Sequence, residues 1–86
     1  MMNFVHYQLY LDSGQTVEVT VDTQANVKLM TEMDFHNYQS GRSHHYFGGR
    51  QTRRIGRIVP GHAGHWNLTI DLGGGVGTIR HSVRIV

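Results

Sequence analysis

Arginine and histidine are the residues of this chain with chemistry to offer, and they crowd its middle third. Between Asp34 and Asp71 there is no acidic residue, while the same stretch holds Arg42, Arg50, Arg53, Arg54 and Arg57 together with His36, His44, His45, His62 and His65. A guanidinium is planar and permanently charged, and its five donors form a fork that matches phosphate and carboxylate. Arginine outnumbers lysine seven to one. Tyr46, Phe47 and Trp66 lie close enough in sequence to add apolar or stacking contact. The candidate set for holding an anionic ligand or a protein partner is therefore Arg42, Arg50, Arg53 and Arg57 with Tyr46 and Phe47. The competing explanation is that charge on an edge strand guards against sheet-to-sheet aggregation. On a strand, Arg53 and Arg57 share a face and Arg54 points away, which argues against a single patch. A formal charge of +2 is modest for a dedicated nucleic-acid binder, so nucleic acid ranks behind a small anion or a protein.

Seven histidines raise the question of metal. A structural zinc site draws mostly on thiolates, and the chain has no cysteine. A three-histidine site would have to draw on His36, His62 and His65. His44 and His45 are neighbours and, if extended, point to opposite faces. The plainer reading is that these are surface or hydrogen-bonded histidines, with His81 a satisfied core or rim histidine, and no cofactor is expected. Protonating all seven would take the formal charge from +2 to +9, so anion binding could strengthen in mild acid. Gly73-Gly74-Gly75-Val76-Gly77 lacks the following helix and the Lys-Ser/Thr of a phosphate loop, and reads as a hairpin turn. No serine sits in a nucleophile-elbow context and no carboxylate pair is recognisable, so catalysis is not expected.

These residues must be positioned mainly by strands. Val5, Tyr7, Leu9 and Leu11 alternate with His6, Gln8 and Tyr10; Val17, Val19 and Val21 alternate with Glu18 and Thr20. With Asp12-Ser13-Gly14 between them, the two predict a hairpin. A third strand spans Ala25 to Met30. Thr31-Glu32-Met33-Asp34 resembles a capping box, Phe35 and Tyr38 recur at helical spacing, and Ser40-Gly41 supplies a stop, which predicts one short helix. Residues 41 to 52 read as a long loop. Strands resume at Arg53 to Val59 and end at Pro60-Gly61. Trp66, Leu68, Ile70 and Leu72 then alternate with His65, Asn67, Thr69 and Asp71, and a last strand covers Thr78 to Val86. Trp66, Phe35 and Tyr38 belong to the core. The expectation is an all-β fold: a small antiparallel β-sandwich or barrel-like arrangement of about six to seven strands with one short helix.

Eighty-six residues support one domain, 1–86. Charged residues make up only 16% of the chain and glycine is frequent, which suits short strands and tight turns rather than disorder. The absence of cysteine favours a reducing compartment. Met1-Met2-Asn3-Phe4 does not read as a signal peptide, and no apolar run approaches a membrane span, so a cytoplasmic location without membrane contact is the expectation.

Several segments carry a family resemblance. Asn3-Phe4-Val5-His6-Tyr7, Ala25 to Met30, Phe35-x-x-Tyr38-x-x-Gly41-Arg42, Gly48-Gly49 and Pro60 resemble the bacterial family known as domain of unknown function 1883. The densest match runs through Gly64-His65-Trp66, Asp71-Leu72-Gly73-Gly74, Gly77-Thr78-Ile79-Arg80 and Ser82-Val83. The family pattern has a small residue where His81 stands. The resemblance implies a compact β domain that occurs alone or joined to a Toll/interleukin-receptor-type signalling domain. It brings no catalytic residue and no cofactor. By analogy it suggests a sensing or docking module. Three functions follow as expectations: a non-catalytic module recognising an anionic ligand or protein partner, a histidine-dependent metal hydrolase, or a structural domain that forms a homodimer.

Overall fold

Alternating apolar residues draw the described residues into seven strands and one helix: β1 (Phe4–Leu11), β2 (Val17–Val21), β3 (Ala25–Met30), α1 (Glu32–Gln39), β4 (Phe47–Gln51), β5 (Ile55–Ile58), β6 (Gly64–Asp71) and β7 (His81–Ile85). The computed structural model describes residues 4–74 and 77–86. A four-stranded sheet in the order β1-β6-β3-β4 faces a three-stranded sheet in the order β5-β2-β7, every pairing is antiparallel, and the two sheets do not join into a barrel. Val17, Val19 and Val21 meet Leu11, Val27, Leu29, Trp66, Leu68 and Ile70 between the sheets, and the alternation in each strand exists to fill this layer.

The hairpin expected from Val5–Val21 does not form. β1 lies along β6, eight residues against eight from Phe4 opposite Asp71 to Leu11 opposite Gly64. Period-2 alternation is satisfied equally by strands side by side in one sheet and by strands facing each other across a core, so the pattern could not separate the two. Asp12-Ser13-Gly14 is a turn, with Gln15 donating to the Asp12 carbonyl at 3.1 Å, but it carries the chain across the sandwich. Thr16 then exchanges backbone hydrogen bonds of 2.8 and 2.9 Å with Val86. The hairpin expected around Gly73–Gly77 is absent for the same reason: β6 and β7 belong to different sheets. Gly75 and Val76 of that segment lie outside the described residues.

The expected loop at 41–52 ends in a strand. β4 pairs with β3 from Leu29 opposite Phe47 to Ala25 opposite Gln51. Glycine hid it, since Gly48 and Gly49 lower strand propensity. At Gly48 (φ +98°) the approach is so close that a Cβ would run into the Val27 carbonyl oxygen, so the edge pairing depends on glycine there.

The other face of the larger sheet is also covered. Thr31 caps α1, its hydroxyl accepting from Asp34 N at 3.3 Å, and the helix ends at Ser40 before Gly41 (φ +72°). Phe35 and Tyr38 pack on Met30 and Phe4. Asn67, Thr69 and Asp71, the polar half of the β6 alternation, are consequently buried under the helix side.

Candidate anion-binding site

Five of the seven arginines sit on or at the end of the smaller sheet: Arg53, Arg54, Arg57, Arg80 and Arg84. They fall into two groups. Arg57 on β5 and Arg84 on β7 flank Glu18 on the central strand β2, as the register demands. Arg57 Nη2 lies 3.0 Å from one carboxylate oxygen of Glu18 and Arg84 Nη1 lies 3.6 Å from the other. Both guanidiniums are largely exposed, at 65% and 70%, so these pairs contribute little stability and mainly hold charge in place on an edge-to-edge row.

The second group opens onto a cleft of about 860 Å³ at the end of that sheet, where Arg53, Arg54 and Arg80 converge with Asp22. Among the described residues none of these three guanidiniums forms an ion pair. Thr20, Thr23, Thr52 and Ser82 line the same cleft with hydroxyls. Its two walls are tied down by the backbone. Gln51 Nε2 lies 3.0 Å from the Val19 carbonyl, 3.1 Å from the Arg53 carbonyl and 3.3 Å from the Arg54 carbonyl, pinning the β4–β5 turn to β2. Val21 N donates to the Arg54 carbonyl at 2.8 Å. On the opposite wall Asp22 N donates to the Arg80 carbonyl at 3.1 Å, and Arg80 N donates back to Asp22 Oδ1 at 3.0 Å. Cationic side chains on an anchored backbone lose less entropy on binding than the same side chains on a free loop.

The strand boundary decides this arrangement. Arg53 and Arg54 were expected on a strand, facing opposite ways; the strand begins only at Ile55, and both arginines lie in the preceding bend, where the alternation rule does not apply. Of the six residues singled out from the sequence, Arg53 lines the cleft, and Arg50 on β4 reaches its rim by donating to Gln24 Oε1 at 2.8 Å. Arg57 is engaged with Glu18 on the open face of the smaller sheet, on the edge strand where charge also blunts further pairing. Arg42 and Tyr46 lie on the helix side of the larger sheet: Arg42 N donates to Asn37 of α1, and the Tyr46 ring takes Lys28 Nζ at 4.4 Å from its centroid. Phe47 meets Trp66 edge-on at 5.7 Å. The single face expected from the six therefore does not form. Arg80, Asp22 and Gln51 were missed, because a lone arginine, a turn aspartate and a glutamine carry no spacing signal.

The histidines are dispersed. His36 is exposed on α1, His62 turns Nδ1 to the Ala63 carbonyl and packs on Trp66, and His65 meets Tyr10 edge-on, so the three are not brought together. Among the described residues no three His, Asp or Glu side chains are grouped to hold a metal ion. His81 bridges the two sheets: Nδ1 donates to the Ile79 carbonyl at 3.1 Å and Nε2 accepts from the Tyr7 hydroxyl at 2.7 Å. No helix is long and apolar enough to cross a membrane among the described residues.

The family model for domain of unknown function 1883 matches residues 2–86. The chain belongs to that family. No curated protein and no solved structure matches it significantly.

Two of the segments on which the family resemblance rests, Phe35-x-x-Tyr38 and Asp71-Leu72-Gly73-Gly74, meet at one point of this DUF1883 domain. Asp71 is 2% exposed, and its Oδ2 accepts from the Tyr38 hydroxyl at 2.6 Å. Its Oδ1 accepts from Asn26 Nδ2 at 2.9 Å and from Gly73 N at 2.7 Å. Burial, reinforced by the hydrogen bond to Asp71, pushes the Tyr38 phenol well above its ordinary value. Beside it Lys28, the chain's one lysine, sits 5.4 Å from the Tyr38 ring and 3.2 Å from His44 Nε2. His44 Nδ1 faces the Arg42 carbonyl at 3.0 Å, so Nδ1 carries the proton and Nε2 accepts from the ammonium. The backbone N–H of His45 donates to Asp34 and holds that carboxyl below its ordinary value, against a small opposing effect of burial. These residues lock the helix and the following loop onto the sheet; the cleft lies on the other sheet.

Proposed function

We propose that this domain is a non-catalytic recognition module that binds an anionic ligand, or an acidic group presented by a protein partner, in the cleft between Arg53, Arg54 and Arg80. One observation carries the reading: Arg53, Arg54 and Arg80, which form no ion pair among the described residues, line one cleft whose walls are fixed by Gln51 and Asp22. The cleft is open to solvent, so a ligand would be held there by charge and hydrogen bonds rather than by enclosure. Its hydroxyls on Thr20, Thr23, Thr52 and Ser82 have no histidine or carboxylate bonded to them among the described residues, which favours binding over nucleophilic chemistry.

The test is isothermal titration of tripolyphosphate and of polyglutamate into the wild type and into the Arg53→Ala/Arg54→Ala/Arg80→Ala variant. Loss of each charge-assisted contact weakens binding about ten-fold, so the variant should show no measurable heat. The side chains are exposed and form no ion pair among the described residues, so its melting temperature should stay within a few degrees of wild type. Equal binding by both proteins sinks the assignment.

A further inference from the structure

We infer that the ligand of this cleft is a phosphorylated sugar or polyol, a molecule that joins phosphate esters to free aliphatic hydroxyls and has no aromatic ring. The inference rests on the anion-recognition reading of the same cleft and adds the chemical class. Three features of the lining lead to it.

The first is Asp22. One of its oxygens accepts from Arg80 N; among the described residues the other has no hydrogen-bond partner and no cation within ion-pair distance. A free carboxylate oxygen repels a bare polyphosphate and accepts from a hydroxyl, so it selects for a ligand that carries both groups. The second is the row of four hydroxyl side chains, Thr20, Thr23, Thr52 and Ser82, each able to donate and accept at the same time, as a polyol requires. The third is the aromatic content of the described lining, which holds no Phe, Tyr or Trp and one imidazole, His81, engaged at Nδ1 by the Ile79 carbonyl and at Nε2 by the Tyr7 hydroxyl. A nucleotide site gains much of its base affinity by stacking on a broad aromatic ring, and this cleft offers only the His81 imidazole, which already packs edge-on against Tyr7. The three arginines then take the phosphates, and the hydroxyls with Asp22 read the carbon skeleton.

Titration calorimetry at physiological salt decides between the classes, with fructose bisphosphate, tripolyphosphate, ADP and polyglutamate as probes. Fructose bisphosphate should bind about ten-fold more tightly than tripolyphosphate despite carrying less charge, and more tightly than ADP. Asp22→Asn keeps an acceptor for Arg80 N and removes the charge, so it should reduce that preference about five-fold while the melting temperature is retained. Vesicles of phosphatidylcholine carrying phosphatidylinositol phosphate present the same chemistry from a lipid. Binding to them as well assigns the ligand to a headgroup, and sugar binding without them assigns it to a soluble metabolite.

Tripolyphosphate or ADP binding as tightly as the sugar bisphosphate overturns the inference, as does a preference that Asp22→Asn leaves untouched. If polyglutamate alone binds, and does so through the arginines, the recognition reading stands and the sugar-phosphate class falls. If no probe binds, both fall.

Discussion

The hydroxyl of Tyr38 should be worth more to this fold than any surface ion pair. In Tyr38→Phe the ring keeps its packing, including the edge-on contact with Phe4 at 5.2 Å, and only the oxygen is lost. Among the described residues Tyr38 supplies the one hydrogen bond to Asp71 Oδ2, whereas Oδ1 has two donors, Asn26 and Gly73. With Asp71 only 2% exposed, water does not replace the missing donor. Removing one partner of a buried bond to a carboxylate costs about 2 kcal/mol. For a domain of this size that is a fall of about 8–16 °C in melting temperature. Asn26→Ala should cost less, about 1 kcal/mol, because Gly73 N still serves Oδ1. The phenol is held above its ordinary value of 10.0, so its folded form favours the protonated state. That stabilisation is complete below pH 10, and is lost as pH rises through the raised folded value. Wild type should therefore lose stability in alkali by a route the phenylalanine variant lacks. Thermal and urea melts of both proteins, at neutral and alkaline pH, give the answer. A fall of less than about 3 °C at neutral pH would refute the reasoning, since it would mean that Asp71 finds another donor.

Three further outcomes follow from other parts of the molecule. Gly48→Ala should destabilise by about 2 kcal/mol or more in urea titration, because a Cβ at φ +98° is strained and meets the Val27 carbonyl. A neutral result would show that β4 is not held as described. Asp34 has a depressed carboxyl, so its contribution is present above its ordinary value of 3.8 and is lost as pH falls below it. The excess stability of wild type over Asp34→Asn, measured by urea midpoint, should shrink as pH drops through that window; a constant difference contradicts the His45 contact. Glu18→Gln should cost less than about 1 kcal/mol, because the arginines it releases remain hydrated, and should tighten tripolyphosphate binding about two-fold at low salt. An unchanged affinity at low salt would show that the open face of the smaller sheet does not act on the cleft.

The residues that face the core were legible in the chain before any fold was known. Val17, Val19 and Val21, or Trp66, Leu68 and Ile70, can bury an apolar face only as strands, and Thr31 with Asp34 marks a helix start whatever surrounds it. The all-β class, the short helix and the glycine turns rest on such local physics, which depends on neighbours within a few positions. Which strands pair is a different kind of question. β1 could have closed a hairpin on β2, yet it pairs along its full eight residues with β6, and only the collapsed chain reveals that choice. The burial of Asn67, Thr69 and Asp71 was equally hidden, since it depends on α1 folding back over a face whose composition reads as solvent-exposed. The cleft belongs wholly to tertiary structure. Arg53 and Arg54 meet Arg80 because a turn held by Gln51 and a strand start held by Asp22 arrive at the same end of one sheet. Composition announced an excess of guanidinium in the middle of the chain; three-dimensional pairing dispersed that cluster and drew one distant arginine to the part of it that forms no ion pair among the described residues.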